Sequence, residues 1–187
     1  MIKKYCLTVF LLLTAISYLQ GQRMIPKKKG LETSFGLLSN SKIGNDYFLN
    51  LGLTVNGRNG NYQLWAFEYA HQYYSYRDIQ IPHETYTVEG GYSFFLLGDT
   101  YKNITLNLAL TATIGYENIN RGEQVLYDGA RILNEENFIY GAGTRLSFET
   151  YLTDHLVFIL LGKTKVFWGT DLEQFRPSIG LGIRFNF

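Results

Sequence analysis

Between Ile104 and Tyr116 apolar and small polar residues alternate without a break. One parity reads Ile104, Leu106, Leu108, Leu110, Ala112, Ile114 and Tyr116; the other reads Thr105, Asn107, Ala109, Thr111, Thr113 and Gly115. A period of two sends successive side chains to opposite faces of an extended strand. The C-terminal residues repeat it, with Ile179, Leu181, Ile183, Phe185 and Phe187 set against Gly180, Gly182, Arg184 and Asn186. Weaker alternation marks Leu31–Leu37, Tyr47–Val55, Tyr62–Tyr74, Thr85–Leu97, Phe138–Tyr151 and Leu156–Trp168. The pattern therefore predicts eight strands. Most run about 9 to 14 residues, longer than the five or six usual in soluble sheets and long enough to cross a bilayer at a tilt.

The connections alternate in length. Asn56–Asn61, Gly98–Asn103 and Thr153–His155 are tight and rich in turn residues. Leu38–Asp46, Ser75–Glu84, Glu117–Asn137 and Gly169–Pro177 are longer and more polar. Short turns at one end and long loops at the other are the habit of outer-membrane barrels, whose turns face the periplasm. The expected fold is an all-β, eight-stranded antiparallel up-and-down barrel of that type, with both termini on the periplasmic side.

Alternation by itself also fits a soluble barrel, so the size of the polar face decides. Gly141, Gly143, Arg145, Ser147 and Glu149 share one face of their strand, and most of them are small. Small residues suit a narrow lumen, and eight strands leave an interior just wide enough for side chains to fill. The 15 Tyr and 13 Phe add a second indication, because aromatics gather at the two membrane interfaces. Tyr73, Tyr74, Tyr92, Tyr116 and Trp168 lie near strand ends. On this phasing Glu32, Glu68, Glu89, Glu117, Arg145, Glu149, Lys163, Lys165 and Arg184 all point inward, where they must pair or be hydrated. The phase of Leu156–Trp168 is ambiguous, since Val157, Ile159 and Leu161 share parity with Lys163 and Lys165.

The N-terminus changes the picture next. Lys3 and Lys4 precede an apolar stretch, Tyr5–Leu19, and then Gln20, Gly21 and Gln22, an order that reads as a secretory signal peptide over residues 1–21. Residues 22–30, with Arg23, Lys27, Lys28 and Lys29, form a basic periplasmic leader before a single barrel domain at 31–187. The one cysteine, Cys6, leaves with the signal, so disulfide, thiolate-metal and cysteine-nucleophile chemistry are excluded from the mature chain. Loss of Lys3 and Lys4 leaves 15 of the 17 basic residues against 16 acidic ones, which argues against general nucleic-acid binding. His71, His83 and His155 have no metal-ligand spacing, and Ser93 pairs with no His by phase or depth as a lipid hydrolase would need. No enzyme, metal or cofactor is implied.

Two groups of residues carry candidate roles. The apolar terminal face of Ile183, Phe185 and Phe187 resembles the signal by which outer-membrane proteins are handed to the barrel-assembly machinery. Trp168, Leu172 and Phe175 set apolar groups among charges in an outer loop, as a docking surface requires.

Three stretches also resemble the TraO family of conjugative transposon proteins from Bacteroides-type bacteria: Gly60–Trp65 (GNYQLW), Glu89–Asp99 (EGGYSFFLLGD) and Trp168–Pro177 (WGTDLEQFRP). The likeness spans the mature chain, from Arg23 to the Arg184–Phe187 end. It implies an outer-membrane component of a conjugative DNA-transfer apparatus, working beside other transfer proteins of the envelope in a structural or docking role. The alternative is a free-standing small outer-membrane barrel acting as an adhesin or stress protein, and on either reading membrane lipids are partners of the barrel. Flanking genes for conjugation discriminate between the two.

Overall fold

The computed structural model describes residues 24–38, 46–77, 79–123, 130–132 and 136–187. The expected signal peptide, Arg23 and most of the Leu38–Asp46 loop lie outside them. Eight strands follow in order: β1 (Lys29–Leu38), β2 (Tyr47–Asn56), β3 (Tyr62–Tyr76), β4 (Ile79–Gly98), β5 (Ile104–Ile119), β6 (Glu136–Tyr151), β7 (Leu156–Trp168) and β8 (Phe175–Asn186). Each pairs antiparallel with its neighbour in sequence, and β8 pairs with β1, so the sheet closes on itself. At the seam Lys29 N–H donates to the Phe187 carbonyl at 3.1 Å and Phe187 N–H returns a bond to Lys29 at 2.8 Å. Closure leaves no free strand edge around the barrel wall, which is what a sheet surrounded by hydrocarbon requires.

The barrel is inside out relative to a soluble protein. Leu51, Leu110 and Ile114 are each more than half exposed on the outer surface, whereas Glu32, Glu149 and Arg184 are 0% exposed. All nine charges read as inward from the alternation do point into the lumen. The ambiguous strand β7 resolves with Val157, Ile159 and Leu161 inside along with Lys163 and Lys165. Its two halves line different zones: the apolar residues form a cluster with Phe48 and Tyr151, and the lysines serve the polar zone nearer the far end. Gly36 and Gly180 face each other across the β1–β8 pair, and the Phe48 ring covers both. A side chain at either glycine would collide with that ring. On the outer surface the cross-strand partner Trp65 lies over Gly90 in the same way.

Two expectations about connections need correction. Ser75–Glu84 is not a loop: β3 runs to Tyr76 and β4 starts at Ile79, with Tyr76 paired to Ile79. The alternation of Tyr74 and Tyr76, then Ile79 and Ile81, continues through the segment, and Arg77 takes the left-handed conformation, φ 51°, at the tight turn. Pro82 is tolerated because β5 pairs with β4 only as far as His83, leaving Pro82 on an edge where no N–H is needed. The result is a two-stranded ribbon standing above the barrel rim. The Gly169–Pro177 loop is likewise shorter than expected, since β8 begins at Phe175.

Of the five aromatics anticipated near strand ends, Tyr92, Tyr116 and Trp168 face outward on the barrel wall, while Tyr73 and Tyr74 lie on the ribbon; further aromatics not anticipated join the outer band. Tyr47, Tyr69, Tyr86, Tyr116, Tyr140 and Trp168 face outward near the far ends of their strands, with Tyr140 and Trp168 stacked at 6.0 Å. Tyr74 departs from this, its ring meeting His83 edge-on at 5.6 Å.

Leu110 sits midway along the outward face of β5, more than half exposed. Leu110→Arg is expected to cost about 2–4 kcal/mol in a phospholipid bilayer. The same change at exposed Gln80 on the ribbon is expected to stay within about 0.5 kcal/mol. Denaturant unfolding in vesicles, followed by tryptophan fluorescence, measures both.

Candidate functional site

Among the described residues the chemistry-bearing side chains converge in the lumen, and strand register sorts them into three tiers. Nearest the termini, Arg184 on β8 stands opposite Glu32 on β1. Its Nε and Nη2 donate to Glu32 Oε2 at 3.0 and 2.9 Å. Its Nη1 and Nη2 reach Glu149 Oε2 and Oε1 at 2.9 and 3.1 Å. Arg145 pairs with the other Glu32 oxygen at 2.6 Å. Tyr62 and Ser147 hydroxyls donate to Glu149 at 2.6 and 3.0 Å, and the Arg184 guanidinium lies 4.3 Å over the Tyr62 ring. The planar fork of arginine makes it suited to bridging two carboxylates at once.

The middle tier is built on Glu68 of β3. Lys163 and Lys165 both donate to it, Lys165 at 2.9 Å, and Lys165 also reaches Glu89 at 3.0 Å. Asn50 donates to the second Glu89 oxygen at 3.1 Å, and Lys163 Nζ sits 3.9 Å above the Phe48 ring. Register sets Arg145 directly opposite Lys163, and like charges so placed repel. The repulsion is relieved because Arg145 turns toward Glu32 while Lys163 turns toward Glu68. Each of these two tiers holds two carboxylates and two cations, so neither carries net charge.

The outer tier closes the far mouth. Glu117 on β5 meets His83 Nε2 at 3.2 Å and accepts from Arg176 Nη2 at 3.0 Å. Arg176 also donates to the Thr85 and Thr170 hydroxyls and, through Nε, to the Glu173 carbonyl at 2.9 Å. These bonds tether the β7–β8 connection to β4 and β5. Between the middle and outer tiers lies about 360 Å³ of space, open solvent included, lined by Glu68, Gln72, His83, Lys165, Phe167 and Arg176.

Sequence reading missed Arg176, because it fell in a stretch taken as loop. The signal was available, since extending the β8 parity backward through Gly182, Gly180 and Ser178 leads to Arg176 on the inner face. It also missed Tyr62 and Asn50, whose roles depend on cross-strand neighbours. Of the residues singled out beforehand, Ile183, Phe185 and Phe187 lie together on the outer surface of the last strand, 49–60% exposed. The docking candidates are divided: Trp168 belongs to the aromatic band, Leu172 is half-buried in the connection, and Phe175 opens β8 on the outer face.

Removing Arg184 strands two buried carboxylates, a change of the kind that costs about 3–5 kcal/mol. Arg184→Ala should therefore lower barrel stability by that order, and adding Glu32→Gln with Glu149→Gln should recover part of it. A triple variant no more stable than Arg184→Ala in denaturant titration contradicts the charge-pairing account.

Residues 25–187 match the model of a protein family described as conjugative transposon protein TraO. Among solved structures the chain is similar to Neisserial surface protein A, with TM-score 0.64 and 10% identity over 86% of this chain and 97% of that one. It is similar also to Ail, the attachment invasion locus protein of Yersinia pestis, with TM-score 0.52 and 13% identity over 87% of this chain and 100% of Ail. At such identities the likeness is one of fold. Among curated proteins none matches the chain.

Proposed function

We propose, from the premise that this chain belongs to the conjugative transposon protein TraO family, that it is a non-enzymatic outer-membrane component of a conjugative DNA-transfer apparatus. The observation that carries the reading is the family match over the whole barrel, residues 25–187. Its apolar outer belt and aromatic band support a membrane location. Residues 1–21 serve as the export signal, residues 22–30 as the periplasmic leader, and Ile183, Phe185 and Phe187 as the handle for the barrel-assembly machinery. With both termini in the periplasm, the far mouth and the ribbon face the cell exterior.

The lumen supports a structural or docking role over a conduit. Side chains of the three tiers and the Phe48 cluster project into it, in a barrel whose eight strands leave little more than side-chain width. A strand of DNA has no room there. Contacts with other transfer proteins must then be made at the mouths, and Leu172 and Phe175, beside the tethered β7–β8 connection, form the outer contact.

The protein is expected to fractionate with the outer membrane and to migrate faster on gels when unheated. Replacing Leu172 and Phe175 with serine should lower donor-to-recipient transfer frequency severalfold while leaving the heat-modifiable band intact. Normal transfer from that variant removes the loop from the mechanism, and normal transfer from a strain lacking the protein removes the conjugation reading itself.

A further inference from the structure

The end of the barrel that bears the termini carries a basic surface with a defined shape. Lys27 N–H donates to the Asn56 carbonyl at 2.7 Å and Asn56 N–H donates to the Lys28 carbonyl at 2.8 Å, extending the β1–β2 pairing below the barrel. Arg58 lies in the turn that follows Asn56, which Gly57 N–H closes onto the Asn61 carbonyl at 2.7 Å. Lys27 adopts φ 69°, so the chain bends there. Met24 then packs against the lumen's apolar cluster, its sulfur beside Gly60. Lys28 Nζ reaches across to the Asp154 carbonyl in the β6–β7 turn at 2.8 Å. The basic leader expected from the sequence is thus folded across the opening in its described part.

Lys27, Lys29 and Arg58 are exposed. Ile25, 44% exposed, and exposed Pro26 adjoin them.

We propose that this surface, Ile25–Lys29 with Arg58, docks an acidic, partly apolar segment of another envelope protein. The proposal rests on the periplasmic orientation given above. Charge complementarity selects an anionic partner, which the basic cluster attracts from a distance. Lys29 opens the outward face of β1, but Lys27 and Arg58 lie on the connections beneath the mouth with the aliphatic Ile25 and Pro26 beside them, which favours a protein segment over phospholipid headgroups. Single-stranded nucleic acid is bound by a basic groove with aromatic platforms for its bases, whereas the apolar residues here are aliphatic. Ile25 and Pro26 amid cations suit a peptide that sets apolar side chains between carboxylates.

The test uses the full mature chain in zwitterionic nanodiscs, titrated with a fluorescent peptide of alternating glutamate and leucine. Parallel titrations use a single-stranded oligonucleotide of equal length and phosphatidylglycerol vesicles. The double change Lys27→Gln with Arg58→Gln leaves the Lys28 tether in place, and heat-modifiable migration checks folding. Arg77→Gln at the far end is the control.

Peptide affinity should fall with added salt, drop roughly tenfold in the double variant, and stay unchanged in the control. A charge-reversed pair, Lys27→Glu with Arg58→Glu, should instead bind the matching lysine–leucine peptide. Undiminished peptide binding by the double variant overturns the proposal, as does tighter binding of the oligonucleotide or of the vesicles. Binding that depends on Lys27 and Arg58 in a protein whose loss leaves transfer normal supports the surface and overturns only the conjugation reading.

Discussion

A tube of eight strands is too narrow to hold bulk water around its charges, so every cation in the lumen must find a carboxylate. The rest of the structure depends on that constraint. Arg184 carries it furthest, because one guanidinium joins Glu32 on the first strand, Glu149 on the sixth and the face of Tyr62 on the third. The wall is held by antiparallel pairing, but neighbouring strands are tied only to neighbours by such bonds. Side chains that cross the lumen tie strands that never touch in the sheet, and these crossings give the tube its fixed cross-section.

Neutrality is achieved locally and not merely in sum. The pairs around Glu32 and Glu149, and those around Glu68 and Glu89, each balance within their own level. Were a cation of one level left to answer a carboxylate of another, the separation would weaken an attraction that must offset the cost of leaving water. The two levels differ in chemistry. The flat fork of Arg184 bridges Glu32 and Glu149 and stacks on Tyr62, whereas the compact charge of Lys163 fits over the Phe48 ring.

Much of this could be read from the residues. The strict alternation of β5 and β8 located the strands and named the inward charges, because the side-chain period of a strand needs no knowledge of its neighbours. What escaped depends on register. Arg176 falls in a stretch resembling loop and Tyr74 at the end of a predicted strand, and their inward orientation follows from strands that continue past the rim. Pro82 looked like a break but lies on an edge that β5 does not reach. The fold of Met24 beneath the barrel has no periodic signal, since it is set by three backbone hydrogen bonds and a tether to Asp154.

The seam between β1 and β8 has a consequence for the order of events in folding. Glu32 and Arg184 are separated by 152 positions yet stand opposite each other, so the innermost ion pair joins the first part of the chain to arrive with the last. Contacts of such long sequence separation form late. Until the final strand docks, Glu32 faces an open sheet and keeps its water. The interior therefore dries only in the closing step, when the lateral opening vanishes and the arginine takes the place of the departing solvent. A chain interrupted anywhere short of Arg184 retains a hydrated cleft instead of a sealed core, and the cell's proteases can distinguish the two.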